Sequence, residues 1–279
     1  FYWEVNIVPA NLGTGFSLSL DTLPDLIMDT TETNYQFPED SITSGKHTFY
    51  VIPFTSGFGW QENSLISFEV WVDVDEPIVN QLQPPAGYIT SNNLIPISCY
   101  LFDEHSGIDE KATRLTLNNQ GVPFNYNLEK HTLEFKPYTA LSDGKNTVLV
   151  KAVDAAGNYT VKGWDFIVDT QAPMGSILIN GGGATTNSAY VSINIEAEDA
   201  VSGLKSIYIS NDGVFDAELN KPFTYSPLIS NWLLSEPDIN GKKTVYAKFE
   251  DFAGNLSSVY KDQIDLELRT PNTRIISGP

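Results

Sequence analysis

The 279-residue sequence contains a single cysteine, Cys99, so no disulfide can form within the chain. No apolar run reaches the roughly 18 residues that a membrane-spanning helix needs, so no membrane insertion is expected in this segment. Cationic side chains are also scarce: 16 Lys and Arg stand against 35 Asp and Glu, and the formal net charge is −19. This charge argues against nucleic acid and anionic membrane surfaces as partners, and it is compatible with divalent cations or basic partners.

Motifs that mark catalytic or cofactor sites are missing as well. The sequence has no GxSxG nucleophile elbow, no HExxH zinc motif, no phosphate loop and no dinucleotide fingerprint. The three histidines, His47, His105 and His131, fall in different sequence contexts and are predicted to lie on the surface. We therefore expect no enzyme within these residues.

What the sequence does contain is one segment in three copies: GKHTFYVIPFTSGFG, GKNTVLVKAVDAAGN and GKKTVYAKFEDFAGN. The copies begin at Gly45, Gly144 and Gly241, which are 99 and 97 residues apart (144 − 45 and 241 − 144). In the second copy Val148, Val150 and Ala152 fall on one face at period two, which predicts a strand with one buried face. A period near a hundred residues predicts three tandem domains of one size.

Proline-containing linkers punctuate the repeats. Pro77, Pro173 and Pro271 close the segments VDVDEP, VDTQAP and LRTP, and proline interrupts a strand at such positions. We therefore predict domains over residues 1–76, 77–172 and 173–270, with 271–279 as the start of a further module or a tail. Because the linkers are short, neighbouring domains are expected to stand end to end with limited freedom.

The composition, 41% hydrophobic and 12% aromatic, favours β-structure. Cys99 shares its strand phase with Ile97 and Leu101 and is predicted to be a small buried core residue. The tryptophans considered as candidates for a sugar-stacking platform are Trp60, Trp71, Trp164 and Trp232. Each falls where a core tryptophan is ordinary, so core packing is the favoured interpretation.

Motif order then links the domains to known families. The order YWEV, GFSLSLD, DTTETNYQF, GKHTFYV and GFGW in the first domain resembles a fibronectin type III-like module, although Thr55 stands where the other repeats have Asp. The second and third domains share a DxxSG…DxAGN frame and resemble bacterial Ig-like repeats of large secreted proteins. The resemblance implies an all-β fold of three tandem immunoglobulin-like/fibronectin type III-like β-sandwiches. It also implies an extracellular or cell-surface location.

Aspartates recur at equivalent positions of the two Ig-like domains. Asp103 and Asp199 each lie four residues before the glycine of an SG pair, and Asp154 and Asp251 each end a repeated strand. In an immunoglobulin sandwich the loops that carry these residues lie at the end where the chain arrives. We therefore expect the incoming linker to meet both loops in each case.

This placement predicts two acidic clusters. Clustered carboxylates repel each other unless they are protonated, solvated or neutralised by a cation. Ca²⁺ accepts six to eight oxygen ligands in flexible geometry, and it would stiffen the array at each junction. The predicted metal ligands are Asp73, Asp75, Asp103, Asp154, Asp169, Asp199 and Asp251, with Glu76 also expected near the first cluster. The alternative is that these aspartates only cap the turns of their own loops.

Asn158 and Asn255 are interpreted as turn residues rather than metal ligands. Both also begin N-glycosylation patterns, Asn158-Tyr159-Thr160 and Asn255-Leu256-Ser257. Such short patterns arise often by chance.

The sequence as a whole predicts a non-catalytic extracellular array: a stalk, a spacer, or a filament or surface-layer segment, with Ca²⁺ at its junctions. Its expected partners are other modules of the same protein, neighbouring copies, or a surface glycan or protein. One alternative is an adhesin or carbohydrate-binding accessory region of a larger secreted hydrolase. Another is a self-assembling subunit in which edge strands or residues 1–8 pair with a neighbour.

Overall fold

The structure is a computed structural model that describes residues 4–6, 15–21, 34–36, 42–55, 59–60, 62–215 and 222–268. Within these ranges every regular element is a β-strand, apart from one short 3-10 turn at Glu62–Ser64. The described part of the chain contains no helix with the length and apolar character to span a membrane. The predicted all-β class is confirmed.

The first unit has one central long strand. Its strands are Glu4–Asn6 (β1), Gly15–Leu20 (β2), Asn34–Gln36 (β3), Gly45–Thr55 (β4), Gly59–Trp60 (β5) and Ile66–Val72 (β6). Strand β4 pairs antiparallel with β2, β5 and β6, and β1 pairs with β3. A small core forms around Ile42, Phe49 and Val72.

His47 in this unit is buried, so the prediction of a surface histidine is wrong here. Its Nδ1 lies 2.6 Å from Asp21 Oδ2, and its Nε2 lies 2.6 Å from the Thr43 carbonyl oxygen. Burial alone would lower the pKa of His47, but the hydrogen bonds to Asp21 and Thr43 outweigh it and raise the pKa. His131 is half-buried against Phe102, whereas His105 is exposed as expected.

The second sandwich packs two sheets face to face. Its strands are Ile78–Gln83 (β7), Ile89–Thr90 (β8), Ile97–Phe102 (β9), Arg114–Leu117 (β10), Gln120–Val122 (β11), Asn125–Asn127 (β12), Thr132–Phe135 (β13), Gly144–Val153 (β14) and Tyr159–Val168 (β15). One sheet has the order β11-β10-β14-β15-β8 and the other β12-β13-β9-β7. The core lies between them.

The third sandwich repeats this plan. Its strands are Met174–Ile179 (β16), Thr185–Thr186 (β17), Tyr190–Glu198 (β18), Leu204–Ser210 (β19), Phe223–Thr224 (β20), Leu228–Leu233 (β21), Gly241–Asp251 (β22) and Tyr260–Leu266 (β23). The sheets have the orders β16-β18-β21 and β17-β23-β22-β19-β20. In both sandwiches the last strand follows the repeated GK strand, β14 or β22, and pairs with it.

The predicted strand phases are confirmed. Val148, Val150 and Ala152 are fully buried on one face of β14, and Cys99 is buried in β9. Burial raises the pKa of the Cys99 thiol to about 12, so this cysteine is an inert core residue. Gly144 begins β14 at φ +102°, in a region that favours glycine, which explains why each copy opens on this residue.

Two short strands of the second sandwich were not predicted. β8 pairs parallel with β15, and β11 forms a hairpin with β10. Strands of two or three residues carry too few side chains to show an alternating pattern, so only the fold reveals them.

The prediction that the tryptophans pack in the cores holds for some of them and fails for one. Trp164 is buried in the core of the second sandwich, and Trp232 is half-buried, with its Nε1 donating to Asn211 Oδ1 at 2.8 Å. Trp71 is 75% exposed, so the core prediction is wrong for this residue. The Trp60 side chain lies outside the residues whose burial is described.

Candidate metal sites at the domain junctions

Each linker leaves the last strand of one unit and lies directly against two loops of the next. Asp73 follows β6, and Asp169 follows β15. Asp103 follows β9 and Asp154 follows β14, so the strand ends of the second sandwich present both carboxylates to the first linker. The same arrangement places Asp199 after β18 and Asp251 at the end of β22.

At the first junction, Asp73, Asp103 and Asp154 each place a carboxylate oxygen within 4.8 Å of the others. At the second junction, Asp169, Asp199 and Asp251 form an equivalent group within the same distance. The aspartates at the ends of the GK strands are almost completely buried: Asp154 is 1% exposed and Asp251 is 0% exposed. The linker aspartate of the second junction, Asp169, is also fully buried.

The aspartates also cap their own turns. Asp103 Oδ1 accepts hydrogen bonds from the backbone N–H groups of Ser106 and Gly107 at 2.9 and 2.8 Å. Asp199 Oδ1 accepts the equivalent bonds from Ser202 and Gly203 at 2.9 and 2.7 Å. Both aspartates therefore cap their turns, and this capping coexists with the clustering.

The AGN turns are capped in the same manner. Asp154 Oδ1 accepts from the backbone N–H groups of Gly157 at 2.6 Å and Asn158 at 2.8 Å. Asp251 Oδ1 accepts from the Asn255 N–H at 2.8 Å. These short loops hold their carboxylates in fixed positions, because each cap closes a turn of only three or four residues.

The linker aspartate is bound by the sandwich that follows it. The Ser106 backbone N–H donates to Asp73 Oδ2, and the Ser202 N–H donates to Asp169 Oδ2, both at 3.0 Å. Each of these serine N–H groups is thus shared between the linker aspartate and the loop aspartate. This sharing explains why the two carboxylates lie so close together.

Asn158 and Asn255 do more than complete their turns. Asn158 Nδ2 donates to the Asp73 carbonyl oxygen at 3.1 Å and to Asp154 Oδ2 at 2.8 Å. Asn255 Nδ2 donates to the Asp169 carbonyl oxygen and to Asp251 Oδ2, both at 2.8 Å. The nitrogen that would carry a glycan is therefore engaged in holding the linker at both junctions.

The unit that precedes each linker holds it as well. Ser44 Oγ accepts a hydrogen bond from the Val74 N–H at 3.0 Å, and Asp143 Oδ1 accepts one from the Thr170 N–H at 2.9 Å. Ser44 and Asp143 each immediately precede the glycine that opens a GK strand. Each linker is thus bound from both sides by residues at equivalent positions.

Asp75 and Glu76 lie elsewhere than predicted. Asp75 Oδ2 is 3.4 Å from His105 Nδ1, and these two residues group with Asp73 rather than with Asp103 and Asp154. Glu76 Oε2 accepts a hydrogen bond from Thr160 Oγ1 at 3.3 Å. The linker turns at Asp73, whose Oδ1 accepts from the Asp75 N–H at 3.1 Å, and this turn directs the next two side chains away from the cluster.

The electrostatics of the two junctions differ. At the first, burial would raise the pKa of Asp73, but hydrogen bonds from Ser106 and from the Asp75 N–H outweigh it and lower the pKa. At the second, burial raises the pKa of Asp251. Hydrogen bonds from Asn255 oppose that rise, and the charges of Asp169 and Asp199 add to it. Repulsion within the second cluster therefore acts on a fully buried carboxyl group.

The donor set fits a hard cation. All hydrogen bonds that described residues donate to Asp103 or Asp199 reach Oδ1, so Oδ2 of each accepts none from the described residues. Carboxylate oxygens from three separate segments are the donors that Ca²⁺ accepts. A cation in either cluster would contact the linker and both loops of the following sandwich.

Sequence reasoning missed the serine N–H groups, Ser44, and the side-chain amides of the two asparagines. A signal existed for the asparagines, since Asn158 and Asn255 stand at the same place in two copies of the AGN turn. Their contacts span 85 and 86 residues along the chain, and only the fold shows what they reach.

Comparison with known proteins finds a family resemblance for one segment. Residues 86–170, less than half of the chain, match the family model described as a bacterial Ig-like domain. No curated protein sequence matches the chain significantly.

Several solved structures are similar in arrangement. One holds the CbhA fibronectin(III)-like modules of Clostridium thermocellum, with 11% identity, 73% of this chain and 99% of that chain covered, and a TM-score of 0.37. Another is a 1.5-MDa bacterial ice-binding adhesin, with 14% identity, coverage of 94% and 90%, and a TM-score of 0.36. A tetra-tandem repeat from the extending region of a large adhesion protein has 14% identity, coverage of 92% and 67%, and a TM-score of 0.31. The family match, to a bacterial Ig-like domain, therefore covers most of the second sandwich.

Proposed function

We propose that this chain is a non-catalytic extracellular array of β-sandwiches whose junctions are stiffened by Ca²⁺. The observation that carries the proposal is the repetition of the same linker contacts between the first and second units and between the second and third. Both linkers are bound by a serine N–H and by an asparagine amide of the following sandwich. A spacer or stalk needs this kind of repeated, fixed connection, and so does an extended adhesion segment.

Calcium acts in this proposal by removing a repulsion. Each cluster brings a linker carboxylate within 4.8 Å of two carboxylates of the next sandwich. Without a cation their mutual repulsion opposes the hydrogen bonds that hold the linker. With a cation the same three groups become ligands, and the linker cannot move without breaking a metal–oxygen contact.

The bacterial Ig-like match of residues 86–170 supports a location outside the cell or at its surface, because such domains serve there as structural or adhesion modules. Calcium in that environment is in the millimolar range in which extracellular modules bind it. The named adhesin neighbours fit the same proposal without carrying it.

The test is differential scanning calorimetry with small-angle scattering on the full chain, first in EDTA and then with Ca²⁺. At a hundredfold excess over the dissociation constant, binding adds about 2.7 kcal/mol to the free energy of unfolding. We expect a higher melting temperature and a longer particle with less interdomain motion. The variants Asp103→Asn and Asp199→Asn should each weaken the calcium response at their own junction.

These variants separate metal binding from turn capping. An asparagine oxygen at position 199 still accepts the N–H bonds of the turn, so the cap survives while the charge is lost. Asp212→Asn is the matched control: Asp212 Oδ1 caps a turn by accepting from the Val214 N–H at 2.9 Å, beyond the opposite end of β19. An unchanged melting temperature with Ca²⁺, or an equal loss of response in Asp212→Asn, would refute the calcium role.

A further inference from the structure

The first junction contains a groove beside the linker, and the hydrogen bonds that hold the linker do not depend on it. It has a volume of about 370 Å³ and lies between the end of β6, the linker and two loops of the second sandwich. Its walls are formed by Trp71, Asp73, Val74, His105, Ala155 and Ala156. Ligand sites are frequent at such interfaces between domains.

Trp71 is the main apolar surface of this groove. Its side chain is 75% exposed, although an indole gains more from burial than almost any other side chain. Lys46 lies directly opposite Trp71 across the β4–β6 pair, but its Nζ binds Glu69 at 2.6 Å. In the described ranges the lysines placed over aromatic rings are Lys151 over Tyr159 and Lys248 over Phe215, so none of them covers the Trp71 ring.

The polar part of the groove is negative. Asp73 lines it, and Asp75, with 63% of its side chain exposed, lies beside it in contact with His105. The described residues that form its walls include no Lys or Arg. An exposed indole face next to carboxylates attracts a cation through both the ring quadrupole and the negative charges.

The second junction shows that a linker can be held without an exposed tryptophan, an acidic residue at the position of Asp75 or a histidine. It has the same serine and asparagine contacts, yet it carries Ile167, Gln171 and Val201 at the positions that correspond to Trp71, Asp75 and His105. The two junctions therefore share the residues that hold the linker. They differ at Trp71, Asp75 and His105, the three residues that give the groove its apolar and charged surfaces.

We propose that this groove is a binding site for a lysine or arginine side chain of a basic protein segment. The cationic head would lie over the Trp71 ring and reach the Asp75 carboxylate, displacing His105 from that contact. The net charge of −19 favours the approach of a basic partner from a distance. The groove shares Asp73 with the calcium cluster, but Trp71 and Asp75, the two residues that would contact the cationic head, do not belong to the Asp73, Asp103 and Asp154 cluster.

The probe is a short, terminally blocked Arg-Gly repeat peptide, titrated into the full chain in EDTA and followed by calorimetry and tryptophan fluorescence. A peptide with citrulline in place of arginine keeps the shape and removes the charge. We expect the citrulline peptide to bind at least about tenfold more weakly. The variants are Trp71→Ile and Asp75→Gln, which copy the second junction and are therefore compatible with the fold.

Trp71→Ile is the decisive variant, because it changes no charge and should still weaken binding about tenfold. Asp212→Asn, which removes a remote acidic charge, should leave the affinity within about twofold. The proposal is overturned if the citrulline peptide binds equally, if Trp71→Ile binds as well as the parent, or if Asp212→Asn and Asp75→Gln lose affinity equally. Binding of an oligosaccharide in place of the peptide would also overturn it. Calcium-independent stability with retained peptide binding would refute the junction proposal and leave this one standing.

Discussion

The substitution Asn255→Asp tests how the third sandwich holds the linker before it. Asn255 Nδ2 donates to the Asp169 carbonyl oxygen and to Asp251 Oδ2, both at 2.8 Å. Aspartate has the same shape but no side-chain donor, so both bonds are lost. The backbone contacts of residue 255 with Asp251 remain available, because they use main-chain atoms.

The expected loss follows from the two bonds. A hydrogen bond to a neutral carbonyl contributes about 1 kcal/mol and one to a charged carboxylate about 1.5–3 kcal/mol. The sum is a loss of about 2.5–4 kcal/mol, to which a fourth carboxylate beside Asp169, Asp199 and Asp251 adds repulsion. For a domain of this size the melting temperature should fall by about 10–25 °C.

Calorimetry in EDTA measures this loss, and hydrogen exchange of the β22 and β23 amides assigns it to the third sandwich. Asn194→Asp is the control, since Asn194 is exposed and its Oδ1 only accepts a bond, from the Gly181 N–H at 3.1 Å. A loss below about 1 kcal/mol, or one equal to that of Asn194→Asp, would refute the role of the amide. If the cluster binds Ca²⁺, the additional carboxylate should make the variant recover more stability on calcium addition than the parent does.

Two further predictions concern stability within single units. Gly175→Ala should destabilise the third sandwich by about 1–3 kcal/mol in chemical denaturation, because a Cβ would lie 2.5 Å from the Glu196 carbonyl oxygen and 2.7 Å from the Phe249 ring. Gly163→Ala, whose Cβ would meet the flexible end of Leu149 at 3.3 Å, should lose clearly less, and equal losses would contradict the packing argument. The raised pKa of His47 predicts that the first unit is stabilised below the unfolded pKa of about 6.5 and loses that contribution as the pH rises through the folded value. The contribution should not exceed about 1 kcal/mol because the Asp21 side chain is 46% exposed, and a His47→Gln variant that keeps the same pH dependence would refute it.

Much of the fold could be predicted because it depends on local patterns. Alternation along Val148 and Val150 fixes which face of β14 is buried, since successive side chains of a strand point to opposite sides. The glycine at the start of each GK strand and the Asx-type caps of the SG and AGN turns follow from backbone preferences of single residues. The domain limits at residues 76, 172 and 270, which were inferred from the proline-containing linkers, stay a prediction.

Other predictions failed where the answer depends on a distant segment. His47 was expected at the surface, but the fold places Asp21 and the Thr43 carbonyl oxygen around its ring. Trp71 was expected in the core, yet it lies next to the linker at the end of β6 with 75% of its surface exposed. Asp75 was expected beside Asp103 and Asp154, but the fold groups it with Asp73 and His105, and its role as a metal ligand stays a prediction.

The sequence by itself determined the β-class, the repeat, the buried faces and the positions of the capping aspartates, because each of these depends on residues within one strand or one turn. Only the tertiary structure decided that a serine N–H is shared between a loop and a linker aspartate. It also showed that an asparagine amide reaches back some 85 residues to a linker carbonyl, and that the first junction opens a groove beside Trp71. Those contacts join segments that are far apart in the chain, and their geometry is set by how the loops at the end of a sandwich meet the strand that leaves the preceding one.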